Sequence, residues 1–268
     1  MRSKTLSFNE GPLFGAWTQF GHPSITEIFA ASGFDFIGID MEHSTIALGE
    51  AQRIIAAAHA GGAACLPRIS SHNGVQASRL LDSGADGIIV PNVQTLDQVR
   101  EAVSWIKYPP QGMRGFGVAR AQGYGFDFDQ YVSTWNARAV LVVQIESMRG
   151  VEQAEAIVSH ESVQGAMIGP YDISGSLGIP GKLSHPRVRE ACRRVIEACR
   201  RCGKACGTQV VDPTDENVRE ALAEGYRFVI LGADVFLLWK WGERMHAIVK
   251  THRDEYKAQA PAKVMRLK

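Results

Sequence analysis

The stretch ASGFDFIGIDMEH (residues 31–43) contains the unit from which this chain is built. A segment of helical period, Ser24–Ser32, runs into Gly33. A glycine just past a helix is a C-cap that turns the chain into its next element. Phe34–Asp40 follows, a short apolar run without clean alternation, as in strands buried on both faces of a parallel sheet. The run ends in ionisable residues, Asp40, Glu42 and His43, where turn formers would be ordinary. The glycine device recurs in DSGAD (82–86) and AEGYR (223–227).

Working outward, such runs are Leu13–Trp17, Phe34–Asp40, Ala64–Ile69, Gly87–Pro91, Val140–Glu146, Ala166–Gly169, Ala205–Val210 and Phe228–Gly232. Helix-like segments separate them, among them Leu48–Ala60, Thr95–Ile106, Gly150–Ser159, His185–Arg201 and Asp215–Glu224. Strand–helix repetition predicts an α/β fold, and eight units in roughly 250 residues predict a (β/α)8 TIM barrel. The chain, 1–268, reads as a single domain. A doubly wound sheet is the competing architecture, but no G-x-G-x-x-G follows the first run. Residues 107–126, KYPPQGMRGFGVARAQGYGF, break the rhythm. A loop of that length in a compact fold is usually functional, which sets the expectation here.

With 29 Lys plus Arg against 28 Asp plus Glu, the net charge is +1, and 45% of residues are hydrophobic. That balance gives no electrostatic reason to expect nucleic acid or a membrane surface as partner. No apolar run approaches a membrane span, and the start lacks the apolar stretch of a signal peptide, so a cytoplasmic location is expected. Five cysteines exclude a complete set of intrachain disulfides. Cys199, Cys202 and Cys206 have no nearby histidine to complete a zinc set and read as small apolar positions of a helix and strand.

In barrels of this kind the chemistry sits at the carboxyl ends of the strands. Those ends here carry Trp17, then Asp40, Glu42 and His43, then Arg68, then Gln144 and Glu146, then Asp172, then Gln209. Glu146 and Asp172 end neighbouring runs. Two carboxylates brought together repel unless a cation separates them, and hard oxygen ligands suit Mg²⁺ or Mn²⁺. A salt-bridged structural pair is the other reading. Arg68 is a forked, permanent cation suited to a carboxylate or a developing enolate oxygen, or it simply balances Asp40 or Glu42. Histidine is the side chain best suited to proton transfer near neutral pH, so His43, on the catalytic rim, is a candidate base. No lysine stands late on any run, so a Schiff-base aldolase is not expected.

The motifs together resemble the HpcH/HpaI aldolase family, metal-dependent class II pyruvate aldolases related to the citrate lyase β subunit. The matching phrases are Phe14-Gly-Ala-Trp17, Asp40-Met-Glu42-His43, Pro67-Arg68, Leu81-Asp82-Ser-Gly84, Tyr108-Pro-Pro-Gln-Gly-Met-Arg114-Gly115, Gln144-Ile-Glu146, Ile168-Gly-Pro-Tyr-Asp172 and Gly203-Lys-Ala-Cys-Gly207. The resemblance implies reversible cleavage of a 4-hydroxy-2-keto acid to pyruvate and an aldehyde through a metal-stabilised pyruvate enolate. It implies that Glu146 and Asp172 bind a divalent metal (Mg²⁺, Mn²⁺ or Co²⁺) and that Arg68 stabilises the enolate. His43, supported by Asp40 or Asp82, would manage the proton of the 4-hydroxyl. Gln144 and the backbone around Gly169 would hold the substrate carboxylate, and Trp17 would line the aldehyde side. Tyr171 stands where several members carry Ala or Ser, and is expected to face the pyruvate and narrow or polarise the acceptor pocket. The family is typically hexameric, a trimer of dimers, which implies that the C-terminal helical region, about 234–258, packs on a neighbouring subunit through VFLLWKW (235–241).

Three other functions compete. A carbon–carbon lyase acting on a CoA thioester would need a basic groove, and only the Arg-rich segment 193–201 offers basic residues. A non-catalytic barrel sensing a keto acid has no need of a base such as His43. A phosphosugar isomerase would need a glycine-dense phosphate nest after the last two runs, and none is there.

Overall fold

Eight parallel strands close on themselves in chain order, each joined to the next through at least one helix. The computed structural model describes residues 5–8 and 10–259. The strands are β1 (Leu13–Thr18), β2 (Phe36–Asp40), β3 (Ala64–Arg68), β4 (Gly87–Val90), β5 (Val140–Ile145), β6 (Gly165–Ile168), β7 (Ala205–Val210) and β8 (Phe228–Ala233). The helices are α1 (Pro23–Ala31), α2 (Leu48–Ala60), α3 (Gly74–Asp82), α4 (Leu96–Ile106), α5 (Phe128–Arg138), α6 (Met148–Glu152), α7 (Ala154–Val158), α8 (Pro170–Ser176), α9 (Pro186–Arg201), α10 (Asp215–Glu224) and α11 (Asp234–Gln259). This is the (β/α)8 barrel that the repeat predicts, with every run becoming a strand to within two residues at either end.

The local chemistry explains the boundaries. Gly33, Gly84 and Gly225 all take positive φ (87°, 105° and 110°), so the shared glycine phrase is a left-handed exit from α1, α3 and α10. Thr95 and Gln98 form a capping box that starts α4. Gly150–Ser159 does not form one helix. The chain breaks at Gln153 (φ −98°, ψ 6°) into α6 and α7.

Two apolar layers hold the barrel. The outer one packs Ile37, Ile39, Leu141, Val143 and Val229 against helix residues such as Ile54, Leu80, Val99 and Val195. The inner one fills the lumen with Trp17, Phe36, Leu66, Ile89, Met167, Phe228 and Ile230. Room for Trp17 comes from Gly38, where a Cβ would stand 2.4 Å from the indole ring. Phe8 meets Phe228 edge-on at 5.6 Å and closes the amino end.

The 107–126 excursion leaves α4 at its final residue and therefore lies at the amino end of the barrel, opposite the end where strand chemistry collects. Its anchor is Arg114. The guanidinium lies 4.8, 5.5 and 4.9 Å from the ring centres of Tyr108, Tyr131 and Trp135, and pairs with Asp82 at 2.6 Å. Beyond β8, α11 runs 26 residues, roughly 39 Å at 1.5 Å per residue. It leaves Leu237, Leu238, Trp239 and Trp241 about half exposed. Among the described residues no helix is long and apolar enough to cross a membrane.

Candidate active site

Register brings the first pair together. Asp40 ends β2, Arg68 ends β3, and the two are direct partners in the ladder. Asp40 takes the guanidinium in a fork, Oδ1 accepting from Nε at 3.1 Å and Oδ2 from Nη2 at 2.8 Å. Its Oδ1 also accepts from the backbone N–H groups of Glu42 and His43, each at 3.1 Å. Asp40 is therefore buried and fully engaged. It supports His43 through the backbone, not through the imidazole as the family pattern suggests.

The other face of Arg68 turns toward strands β4 to β6. Nη1 lies 3.2 Å from Glu42 Oε2 and donates to Gln144 Oε1 at 3.3 Å. Gln144 passes the link on, its Nε2 donating to Glu146 Oε2. Glu146 Oε1 accepts from the Asn92 N–H at 2.7 Å, on the turn after β4, where Asn92 takes φ +48°. Beneath this row Arg68 rests 5.0 Å from the ring centre of Trp17.

Charge is out of balance here. Burial above all, then the Glu42 and Asp172 carboxylates, push Glu146 up to about 7, against the hydrogen bonds from Gln144 and Asn92. Burial raises Glu42 as well, against the attraction of Arg68 and His43. Glu42 Oε2 is buried and lacks a hydrogen-bond partner. Asp172 stands exposed in the first turn of α8. Gly169 leaves the space beside these groups, since a Cβ there would come within 2.9 Å of Glu146 Oε2. Among the described residues no trio of His, Cys, Asp or Glu is already drawn together tightly enough to ligate an ion. The donor set nevertheless suits a hard divalent cation: carboxylate oxygens, one of them buried with an ion pair to Arg68 but no hydrogen bond, beside a cradle that a side chain would fill.

Several expected residues take other places. Asp82 ends α3 at the amino end of the barrel, bound to Arg114, because α3 carries the chain back from the mouth. Within one chain it does not support His43. Trp17 is 3% exposed, inside the lumen beneath Arg68, so it props the guanidinium and does not line an open aldehyde pocket. The Gly169 N–H itself is taken by the Ile145 carbonyl at 3.1 Å, so of the backbone around Gly169 that group is not available to a substrate, and Gly169 contributes room. Tyr171 is 64% exposed, its hydroxyl against Gly181 in the loop after α8. His43 sits on the rim, its side chain 64% exposed, with Nε2 3.7 Å from Glu42 Oε2.

Two contributors went unread in the sequence. Gln19, beyond β1, donates from Nε2 to Asp40 Oδ2 at 2.9 Å. Asn92 supplies a backbone N–H, which no side-chain pattern announces. The Val-Pro-Asn turn after the fourth run is its one visible signal.

A buried arginine held on a carboxylate, an acidic surplus beside it and a histidine on the rim can bind an anionic substrate with a cation and move a proton. The sequence pattern of the HpcH/HpaI aldolase/citrate lyase family matches residues 13–240. A hydroxypyruvate/pyruvate aldolase of Delftia acidovorans is 36% identical over 85% of this chain and 84% of its own. A 5-keto-4-deoxy-D-glucarate aldolase of Shigella dysenteriae is 32% identical over 82% and 86%. The crystal structure of a family protein from Burkholderia cenocepacia superposes with a TM-score of 0.85 at 31% identity, covering 91% of this chain and 97% of that one.

Proposed function

The chain belongs to the HpcH/HpaI aldolase/citrate lyase family and is an aldolase, a carbon–carbon lyase; we propose that it cleaves 4-hydroxy-2-keto acids of sugar-acid type to pyruvate or hydroxypyruvate and an aldehyde, with a divalent metal. The observation that carries this reading is the surplus of carboxylates beside a forked, buried Arg68 at the carboxyl end of the barrel. The names of the two relatives supply the substrate class.

Glu146 and Asp172 would hold the ion, Mg²⁺, Mn²⁺ or Co²⁺, with Glu42 close by. The ion, when bound, supplies Lewis acidity to the 2-keto acid. Everything else belongs to side chains of this chain. His43 accepts the proton of the 4-hydroxyl, directly or through water, from its place on the rim. The C3–C4 bond then breaks, the aldehyde carbonyl forms, and the electron pair passes through C3 to the keto oxygen. Arg68 faces that oxygen with a charge already oriented by Asp40, which favours the enolate at no cost of reorganisation. Returning the proton to C3 completes pyruvate. Gln144 keeps Arg68 and Glu146 at a fixed separation. No lysine takes part in this scheme.

The same reading treats the chain as one barrel unit in a cytoplasmic homo-hexamer. The half-exposed apolar residues of α11 support packing on a neighbouring subunit. The test is pyruvate release from a panel of 4-hydroxy-2-keto acids with Mg²⁺, Mn²⁺ and Co²⁺ compared. Activity should vanish after chelation and return with metal. Full turnover after exhaustive chelation overturns the metal assignment.

A further inference from the structure

A line of hydrogen bonds ends on Arg68 but begins outside the carboxylate cluster, across the seam where β8 meets β1. Asp234, the first residue of α11, is 3% exposed. Its Oδ2 accepts from the Thr18 hydroxyl at 2.9 Å and the Phe20 N–H at 3.0 Å. The Gln19 N–H reaches both oxygens, at 2.9 and 3.0 Å. Three consecutive residues leaving β1 are thus gripped by one buried carboxylate, and charge-assisted bonds of this kind are the strong ones. The grip fixes the backbone of Gln19 and so the direction of its side chain. That side chain donates from Nε2 to Asp40 Oδ2, the same oxygen that takes Nη2 of Arg68.

We propose that Gln19 is a positioning residue for Arg68 and that Asp234 holds Gln19 in place for that purpose. The proposal rests on the reading of Arg68 as the group that faces the enolate oxygen. A carboxylate torsion is broad, and a forked guanidinium bond needs the two groups nearly coplanar. Oδ1 of Asp40 is tied down by two backbone N–H groups; among the described residues Oδ2 has only Gln19 besides Arg68 itself. Without the Gln19 amide the carboxylate plane can turn, and the guanidinium turns with it. Nη1 then loses its place between Glu42 and Gln144. Gln19 acts here without touching substrate, and its partner Asp234 sits at the root of the helix whose apolar residues lie exposed.

Gln19→Leu keeps the side-chain bulk and removes the donor. Exchange of the pyruvate methyl protons for deuterium by the metal-loaded enzyme reports enolisation with no aldehyde present. The exchange rate at saturation should fall about tenfold, the scale of one hydrogen bond to a charged group. KM for pyruvate should stay within about twofold, because nothing that binds pyruvate has been removed. The same substitution in an Arg68→Lys background, where the fork is already lost, should have little further effect. An equal loss in both backgrounds, or no loss in the first, overturns the proposal. A change confined to KM would make Gln19 a substrate contact, which also overturns it. Asp234→Asn should lower exchange in the same sense, and Gln19→Leu decides the matter if that variant fails to fold. Wild-type enzyme that exchanges no methyl protons would instead defeat the reading of Arg68 from which this one starts.

Discussion

Arg68 and Arg114 are the two buried arginines among the described residues, and they lie at opposite ends of one barrel. Arg114 has a single carboxylate, Asp82, a hydroxyl from Tyr131 at 3.1 Å, and three aromatic faces. One cation meets one anion, π-density covers most of the rest, and Nε is buried without a hydrogen-bond partner. Arg68 has a single aromatic face, Trp17, and a row of acids: Asp40 and Glu42 in contact, with Glu146 and Asp172 repelling Glu42 and each other from beyond it. The first arginine closes a balanced unit. The second stands in a surplus of negative charge that burial makes costly. A surplus of that kind is what an incoming cation can relieve, and perturbed carboxylates of this sort mark the carboxyl end, on the proposed reading, as the end where the chemistry is done.

Breaking the balanced end should produce the largest effect. Arg114→Ala leaves Asp82 unpaired and a hole between Tyr108, Tyr131 and Trp135. The expected loss is about 3–5 kcal/mol of unfolding free energy, read from urea denaturation. A variant as stable as wild type would mean that the cage does not hold the 107–126 excursion.

Breaking the unbalanced end should show in rate. Arg68→Ala should raise the barrier to enolisation by about 3 kcal/mol, the usual cost of one preorganised charge donor. Retained wild-type exchange of pyruvate methyl protons would reduce Arg68 to a structural counter-ion of Asp40. A smaller change sharpens the contrast further. Phe116 stacks on Tyr108 at 4.8 Å yet is 58% exposed. Phe116→Ala should cost about 1 kcal/mol by denaturation, because the stack covers the cage without closing it.

The order of the fold was legible because each strand of a parallel barrel is buried on both faces and reads as an unbroken apolar run. The short helices were less so. Gly74–Asp82, Phe128–Arg138 and Pro170–Ser176 went unread: Pro170–Ser176 is barely two turns long, Phe128–Arg138 follows the glycine-rich excursion, and Gly74–Asp82 begins on a glycine after a run of turn formers. At the site, Asp40, Arg68, Gln144 and Glu146 announce themselves as polar endings of apolar runs, and the structure brings them into one line. Their division of labour was not visible. Whether a carboxylate is free or spent depends on which backbone N–H groups face it, and Asp40 is spent on four other residues. The excursion at 107–126 looked functional by its length. Its placement follows from where α4 ends, at the far side of the barrel.

The filled lumen has a consequence for traffic. With Phe8 against Phe228 at one end and Trp17 seated on Gly38 under Arg68, the described residues give the barrel the form of a well with a floor, open at its carboxyl end. A lyase makes two molecules from one, and both must leave on the same side of the barrel. On the proposed reading the fragment against Arg68 is the deeper of the two. That reading has the aldehyde leaving first and pyruvate second, and in the condensing direction pyruvate entering before its partner. On that reading the packing of the lumen gives the queue its direction.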